Sequence, residues 1–155
     1  MKGNSERVPN KNLKNFCGKP LYHYVLYSLL KSKHINQVII NTDSEAIKRD
    51  VINNFKDDVI IHDRPLEIQG DFISMNKVIE DDLLKSDADI YLQTHSTNPL
   101  LSTNSIDKAI DLMISPESNN QFDSIFSVTK IQTRLYNEKG EPFNHNPEQL
   151  IRTQD

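Results

Sequence analysis

The chain has 155 residues, of which 36% are hydrophobic and 26% charged, as in an ordinary soluble globular domain. No apolar run approaches the length of a membrane-spanning helix and no secretory signal is visible, so we expect a cytoplasmic protein that does not bind a membrane. The single cysteine, Cys17, excludes an internal disulfide, and we expect a small packed residue there rather than a nucleophile.

The formal net charge of −4 is distributed unevenly along the chain. Residues 1–20 contain five cationic side chains and one carboxylate, a balance of +4, which leaves −8 for the remainder. The five cations are Lys2, Arg7, Lys11, Lys14 and Lys19. A short basic segment on an acidic protein suits a compact anionic ligand better than a nucleic-acid duplex, which requires an extended basic face. Charge alone favours the simpler alternative, a solvated basic terminus.

The hydrophobic pattern predicts helices at four places along the chain. The first follows Pro20 and carries Leu21, Tyr24, Val25, Ser28 and Leu29 at helical spacing. The second follows a capping box at residues 42–45 and carries Ile47, Val51 and Phe55 on one face. The third has inward positions at Met75, Val78, Ile79 and Leu83. The fourth is capped by Thr103 or Ser105 and carries Ile106, Ala109, Ile110 and Met113.

Short β-branched or apolar runs between these helices predict strands at residues 37–41, 59–61, 89–94 and 123–128. Strands that alternate with helices indicate an α/β protein with a mostly parallel, Rossmann-like sheet flanked by helices. From residue 132 onward the chain is polar and contains Gly140, Pro142 and Pro147. That part is typical of a loop or a short hairpin near an active-site rim.

Both ends of the chain differ from a complete domain of this class. A phosphate-binding loop in an open α/β sheet normally follows a strand, but only Met1 precedes the loop-like residues 2–5. The last residues, 151–155, are polar and belong to no closing helix. We expect one incomplete domain over residues 1–155, with the first strand and the C-terminal part missing.

Residues 2–12 are the most informative stretch. Gly3 allows the backbone to approach a ligand closely, and Asn4 and Ser5 tolerate the irregular dihedral angles of an anion-binding nest. The segment also supplies three cations and one amide, namely Lys2, Arg7, Lys11 and Asn12. It is not a Walker loop, because the Gly-Lys-Ser/Thr ending is absent. By chemistry alone, a phosphate site and a mobile basic tail are equally open.

The order of the motifs decides between these two interpretations. Residues 2–12 resemble the signature of the acylneuraminate cytidylyltransferase family, in which a basic residue, two small residues, Ser, a charged pair, Pro and Lys-Asn surround a nucleoside triphosphate. Further matches follow at the family's spacing, at residues 18–21, 38–43, 64–65, 71–74, 97–100 and 152–155. Each short motif is weak alone, but together and in order they extend over nearly the whole chain.

The resemblance implies a nucleotide-binding set. It consists of Lys2, Gly3, Asn4, Ser5, Arg7, Lys11, Asn12, Arg64 and Ser74. Lys2, which stands where the family usually has Arg, and Lys11 are the implied catalytic cations, with Lys11 beside the α-phosphate. Arg64 and the segment around Ser74 resemble the part that holds cytosine and ribose. The alternatives are a surface arginine in a turn and a helix N-cap, respectively.

The resemblance also implies a sugar-binding set formed by His95, Thr97, Asn98 and Arg152. An arginine suits this role because a guanidinium can bind the sugar carboxylate through two parallel hydrogen bonds. Related enzymes for the eight-carbon acid KDO carry a Gly-Asp-Glu-Pro motif, but residues 95–100 contain no carboxylate. This difference favours the nonulosonate, sialic-acid-like branch. His95 replaces the usual Gln, which leaves open whether the sugar is N-acetylneuraminate itself.

The implied reaction is attack of the sugar's anomeric hydroxyl on the α-phosphorus of CTP with release of pyrophosphate, as in the biosynthesis of cell-surface polysaccharide. Mg²⁺ is the implied cofactor, with its protein ligands beyond the end of this chain, and the full-length protein is expected to be a homodimer. Two alternatives stay open. One is another sugar nucleotidyltransferase, for example of the KDO type, and the other is a nucleotide-binding fragment without catalysis.

Overall fold

The computed structural model describes residues 1–3, 8–115 and 122–149. It forms two compact units, residues 1–121 and residues 122–155. The single domain expected from the sequence stays a prediction.

The described residues of the first unit form four helices and four short strands. In chain order they are β1 (Asn15–Phe16), β2 (Lys19–Pro20), α1 (Leu21–Leu30), β3 (Ile39–Thr42), α2 (Glu45–Asn54), β4 (Ile60–Asp63), α3 (Met75–Leu84) and α4 (Thr103–Ile114). Single turns of 3-10 helix lie at Lys11–Leu13, Lys56–Asp58 and Leu66–Ile68.

Strands β3 and β4 pair in parallel, from Ile39 opposite Ile60 to Thr42 opposite Asp63, and α2 connects them. This βαβ unit confirms the predicted α/β class. The larger parallel sheet is present only in part, since the other sheet of the described residues is the antiparallel pair β1–β2.

The core lies where α1, α2 and α4 pack on β3. The buried apolar side chains of α2 are the predicted ones, with Ile47 1%, Val51 0% and, just after the helix, Phe55 3% exposed. The other elements contribute Tyr22, Val25, Leu26, Leu29, Ile40, Ile106 and Ile110. Burial of one face of each helix explains why apolar residues at helical spacing located these elements correctly.

A buried polar contact joins α1 to α2 within this core. The His23 ring is 3% exposed, and its Nε2 lies 2.6 Å from Asp50 Oδ2. The same oxygen accepts a hydrogen bond from the Tyr22 hydroxyl, while Asn54 donates to Asp50 Oδ1 at 3.1 Å. Because burying these groups without partners would be costly, the cluster fixes how α2 sits on α1.

Two predicted strands are wrong. Residues 89–94 and 123–128 have no β partner in the described part of the chain. Ile90, Tyr91 and Leu92 are 40–48% exposed, and Phe126 is 81% exposed. Their residue composition suits a buried strand, but a strand forms only where a neighbouring strand satisfies its N–H and C=O groups.

Three smaller expectations also need correction. The α4 helix is capped by Ser102, which accepts from Ser105 N at 3.1 Å, not by Thr103 or Ser105. Met75 and Leu83 of α3 are 52% and 41% exposed, whereas the helix buries Val78 and contacts β3 and β4 through the Asp82 carboxylate. Cys17 is exposed at the turn between β1 and β2, where its φ is 49°.

In the second unit, the described residues form a small hairpin. Tyr136 bridges Pro142, Phe143 N donates to Leu135 O at 2.8 Å, and Gly140 has a φ of 78° at the turn. Of the two alternatives predicted from residue 132 onward, a loop or a short hairpin, the structure shows the short hairpin, and its position near an active-site rim stays a prediction. Separately, none of the helices in the described ranges has the length and apolar character needed to cross a membrane.

Two isoleucines of α2 provide a matched test of this core. We expect Ile47→Ala to lower the free energy of unfolding by about 2–5 kcal/mol, because the deletion leaves a cavity. Ile52→Ala removes the same atoms from a side chain that is 58% exposed, and should change stability by about 0.5 kcal/mol or less. Urea denaturation measures both; equal losses would contradict the core as described.

Candidate functional site

The beginning of the chain lies against the carboxyl end of β3. Gly3 donates its backbone N–H to Asp43 Oδ1 at 2.6 Å, and Asp43 is the first residue after β3. In open α/β sheets, ligands bind outside the carboxyl ends of parallel strands. The structure thus places Gly3, the described start of the predicted phosphate loop, at the edge where this fold class binds its ligands.

The contact leaves no room for a side chain at residue 3. A Cβ added to Gly3 would lie 2.8 Å from the Cβ of Ser44 and 3.1 Å from its Oγ. Ser44 cannot easily move away, because it is the N-cap of α2 and its Oγ accepts from Ile47 N at 3.4 Å. The sequence analysis explained the glycine at position 3 by close approach of the backbone to a ligand. The structure adds a second reason, the close approach of residue 3 to Ser44.

Asn12 joins three parts of the site. It is 8% exposed, its Nδ2 donates to Lys2 O at 3.2 Å, and its Oδ1 accepts from Ser96 Oγ at 2.9 Å. Ser96 belongs to the predicted sugar segment. Asn12 therefore connects the start of residues 2–12 with the 3-10 turn that ends this stretch and with residues 95–100.

The two predicted catalytic cations have different surroundings. Lys2 Nζ pairs with Asp71 Oδ1 at 2.9 Å, and these side chains are 36% and 51% exposed. Lys11 is half-buried, and within the described ranges its ammonium group has no hydrogen-bond or ion-pair partner. A cation that no protein carboxylate neutralises is well suited to an anionic ligand.

Arg64 is only 6% exposed, so it is not the surface arginine of the alternative interpretation. Its Nε donates to Asn41 Oδ1 at 2.8 Å and its Nη2 to Asn41 O at 3.1 Å. The Asn41 carbonyl oxygen also accepts a hydrogen bond from the Met1 amino group. Burial, and next the nearby charge of Arg64, lower the pKa of this amino group to about 5. Arg64 thus contacts the carboxyl end of β3 and stabilises it through two hydrogen bonds to Asn41.

Asn41 extends this support to α3. Its Nδ2 donates to Asp81 Oδ2 at 3.0 Å and to Asp82 Oδ1 at 2.8 Å, and His62 Nδ1 lies 2.8 Å from the same Asp82 oxygen. Ser74 is the N-cap of α3 and accepts from Asn76 N at 3.2 Å. The N-cap alternative for Ser74 is therefore observed, and its contact with a nucleotide stays a prediction.

The predicted sugar-binding residues are only partly within the described ranges. His95, Thr97 and Asn98 are exposed, and the backbone around them forms two turns, with Asn98 N donating to His95 O and Leu101 N to Asn98 O. Ser96 is the member of this segment that reaches the basic loop. Four predicted site residues, Asn4, Ser5, Arg7 and Arg152, lie outside the described residues.

Sequence reasoning missed four residues of this site: Asn41, Asp43, Ser44 and Ser96. Asp43 was interpreted as part of a helix cap. The signal that pointed to it was its position directly after a predicted strand, where α/β proteins bind ligands. Asn41 and Ser96 also lie at or just after predicted strands, but their partners are 23 or more positions away in the sequence, so local patterns did not reveal the contacts.

The described residues do not form a metal site by themselves. They contain no group of three or more His, Cys, Asp or Glu side chains that could hold a metal ion. Asp43 is the carboxylate that contacts the loop backbone, and one of its oxygens already accepts from Gly3. We therefore assign no step of the chemistry to a protein-bound metal.

A shallow cavity of about 220 Å³ lies elsewhere in the first unit. Its walls come from the Leu66–Ile68 turn and from α3, including Pro65, Lys77 and Leu84. None of the predicted nucleotide-binding or sugar-binding residues lines it. We place the site at the basic segment instead, because an open groove with mixed charges lacks convergent groups for a phosphate.

Fold and geometry together define an α/β protein with a basic, glycine-containing loop at the carboxyl end of a parallel strand. A family model described as "Cytidylyltransferase" matches residues 1–152. The chain belongs to this family.

Two curated relatives show the range of the similarity. A pseudaminic acid cytidylyltransferase of Campylobacter jejuni is 27% identical over 136 residues, which cover 84% of this chain and 56% of that protein. An N-acylneuraminate cytidylyltransferase A of Danio rerio is 28% identical over 162 residues, which cover 99% of this chain and 36% of that protein. The chain thus spans between about one third and somewhat over half of these relatives' lengths.

A solved structure of a CMP:2-keto-3-deoxy-manno-octonic acid synthetase in complex with CTP has the same fold over much of the chain. The TM-score is 0.61 at 21% identity, and the match covers 73% of this chain and 44% of that one. At this identity the likeness concerns the fold.

The contact between Gly3 and Ser44 can be tested by a double-mutant cycle. We expect Gly3→Ala to destabilise the protein by about 1–3 kcal/mol, since a methyl group would be forced into the backbone junction. Ser44→Gly removes the opposing Cβ and, because glycine is an acceptable N-cap, should cost only about a few tenths of a kcal/mol. The double variant should regain most of the loss, measured by urea denaturation. Additive losses would show that the two residues do not oppose each other.

Proposed function

We propose that the protein transfers CMP from CTP to a sialic-acid-like nonulosonic acid and releases pyrophosphate. The observation that carries this proposal is the cytidylyltransferase family match over residues 1–152 in a chain whose Gly3, at the start of the basic segment, is bound to Asp43 at the carboxyl end of β3. The proposal concerns an activity for which the relatives are named, and the chain spans 56% of the pseudaminic acid relative and 36% of the N-acylneuraminate relative.

In the proposed reaction, the anomeric hydroxyl oxygen of the sugar attacks the α-phosphorus of CTP. A new oxygen–phosphorus bond forms, and the bond from the α-phosphorus to the oxygen bridging to the β-phosphate breaks. Pyrophosphate leaves with that oxygen, and the hydroxyl proton passes to solvent. Negative charge grows on the phosphoryl oxygens and on the leaving group, so fixed cations and N–H donors stabilise the transition state.

Lys11 is the side chain best placed to supply such a cation. Its ammonium group has no partner among the described residues, and its neighbour Asn12 fixes the turn by two hydrogen bonds. We propose that Lys11 contacts the α-phosphate. Lys2 contributes in a different way: its exposed ion pair with Asp71 is weak enough for a triphosphate to replace the carboxylate.

The remaining predicted nucleotide ligands fall into two groups. Arg64 and Ser74 have protein partners that orient β3 and α3, and we propose that they hold the floor of the cytosine and ribose site. Asn4, Ser5 and Arg7 continue the loop and are proposed to contact the triphosphate.

Two observations support a nonulosonic acid as the acceptor. Residues 95–100 contain no carboxylate, unlike the KDO-type motif, and relatives named for pseudaminic acid and N-acylneuraminate match 84% and 99% of the chain, while one named for 3-deoxy-manno-octulosonate matches 86%. We propose that exposed His95, Thr97 and Asn98 contact the sugar and that Arg152 binds its carboxylate. The product would serve the synthesis of cell-surface polysaccharide.

We further propose that Mg²⁺ enters together with CTP, since magnesium at nucleotide sites is held largely by phosphate oxygens and water. The described residues do not provide a complete set of metal ligands, so in this proposal the protein's own contribution to charge stabilisation comes from its cationic side chains. A homodimer and a cytoplasmic location complete the proposal.

A pyrophosphate-release assay tests the function. With CTP, Mg²⁺ and a panel of pseudaminic acid, N-acetylneuraminic acid and KDO, we expect release with a nonulosonic acid. Lys11→Gln should lower kcat by about 100-fold or more, the usual cost of removing one transition-state donor. Lys14→Gln is the matched control, since Lys14 is an exposed lysine on the same segment, and its rate should stay within about twofold.

Each other outcome has a definite meaning. Release with KDO alone would assign the protein to the KDO type and contradict the acceptor class. No release with any acid would contradict the enzymatic proposal. Equal losses in the two lysine variants would contradict the role of Lys11.

A further inference from the structure

We infer that Asp43 is a positioning residue for the triphosphate loop, a role that rests on the proposed function. The Lys2–Gly3 peptide bond has two polar groups, and the protein holds both. Asp43 Oδ1 accepts from its N–H at 2.6 Å, and Asn12 Nδ2 donates to its C=O at 3.2 Å. With both groups bound, the peptide plane cannot rotate, and the direction in which the chain enters the loop is fixed.

The two sides of this clamp differ in strength. Asn12 forms a hydrogen bond between two amide groups, whereas Asp43 accepts the backbone N–H through a carboxylate oxygen. Hydrogen bonds to ionised groups are roughly twice as strong as neutral ones. Asp43 therefore contributes more to the orientation of the peptide than Asn12 does.

The anchor is itself rigid. Thr42, immediately before Asp43, is 0% exposed. Its carbonyl oxygen accepts a hydrogen bond from Arg64 N at 3.0 Å, and its Oγ1 accepts one from Ser44 N at 3.2 Å. Ser44, immediately after it, caps α2. Because both neighbours are fixed by the sheet and the helix, the Asp43 carboxylate holds the Lys2–Gly3 peptide against the rigid part of the fold.

This arrangement has a consequence for binding. A peptide bond that is already oriented loses less conformational entropy when a triphosphate binds beside it, so the affinity is higher. Without the carboxylate, the Lys2–Gly3 peptide would rotate about a single remaining hydrogen bond. The effect should be large for ligands that extend along the loop, such as CTP, and small for CMP, which lacks the β- and γ-phosphates.

Two other roles for Asp43 must be separated from positioning. As an acidic residue beside the N-terminus of α2, it could act only through the helix dipole. As a carboxylate near the loop, it could instead bind a metal ion. Asp43→Asn distinguishes these roles, because asparagine keeps the acceptor oxygen for Gly3 while it removes the charge. Asp43→Ala removes both.

Glu45 provides the matched control for the helix dipole. It lies in the first turn of α2, is exposed, and pairs with Lys48 rather than with the loop. Glu45→Ala therefore removes a negative charge from the same helix terminus without changing the contact to Gly3.

The experiment measures binding of CTP and of CMP by titration calorimetry in the presence of Mg²⁺, with thermal unfolding of each variant alongside. We expect Asp43→Ala to weaken CTP binding by about tenfold and CMP binding by about twofold or less. Asp43→Asn should recover CTP affinity to within about threefold of the unmodified protein, and Glu45→Ala should leave both affinities unchanged. Exchange of the Gly3 amide with solvent should be faster in Asp43→Ala than in Asp43→Asn.

Several results would overturn the inference. Equal CTP affinity of Asp43→Ala and the unmodified protein would show that the carboxylate does not position the loop. Equal losses in Asp43→Asn and Asp43→Ala would assign the effect to charge, through the helix or a metal ion. If Asp43→Ala is too unstable to test, the CTP affinity of Asp43→Asn and the exchange rate of its Gly3 amide provide the test. A loss of CTP affinity in Asp43→Asn without faster Gly3 exchange would contradict positioning. Absence of CTP binding by the unmodified protein would contradict the proposed function itself, before any variant is considered.

Discussion

Three consecutive residues at the carboxyl end of β3 hold the first part of the chain in place. Thr42 accepts the backbone N–H of Arg64 and so ties the end of β3 to the residue that follows β4. Asp43 binds the N–H of Gly3, and Ser44 caps α2 while its Cβ limits residue 3 to glycine. One strand end thus connects the sheet, the helix and the loop, and a change at any of these positions affects all of them.

A network of hydrogen bonds between polar side chains stabilises this strand end. Arg64 donates twice to Asn41, and Asn41 in turn donates to carboxylates on α3. No side-chain polar atom in the described residues is both buried and without a partner, as expected for a network that specifies one arrangement. The positions of α3 and of the Asp71–Ser74 segment at its start therefore depend on the same strand that holds the loop. This dependence explains how residues from three distant parts of the sequence converge on one candidate site.

Local patterns predicted the helices and the first two strands well, because Ile47, Val51, Ile106 and Ile110 repeat at the period of the element that buries them. They failed at residues 89–94 and 123–128, where strand formation depends on a partner that the local sequence does not reveal. For the site, ordered motifs indicated Gly3, Lys11, Asn12 and Arg64. The contacts of Asp43, Asn41 and Ser96 were not predictable, since they arise only when separate segments meet in the fold.

The most direct measurement of the central claim is a titration of the isotopically labelled protein with CTP, followed through its backbone amide resonances. If the loop at the end of β3 binds the triphosphate, the largest changes will occur at Gly3 and Lys11, with smaller ones at residues 41–44. Changes confined to the cavity between the Leu66–Ile68 turn and α3, with the Gly3 and Lys11 amides unaffected, would contradict the account.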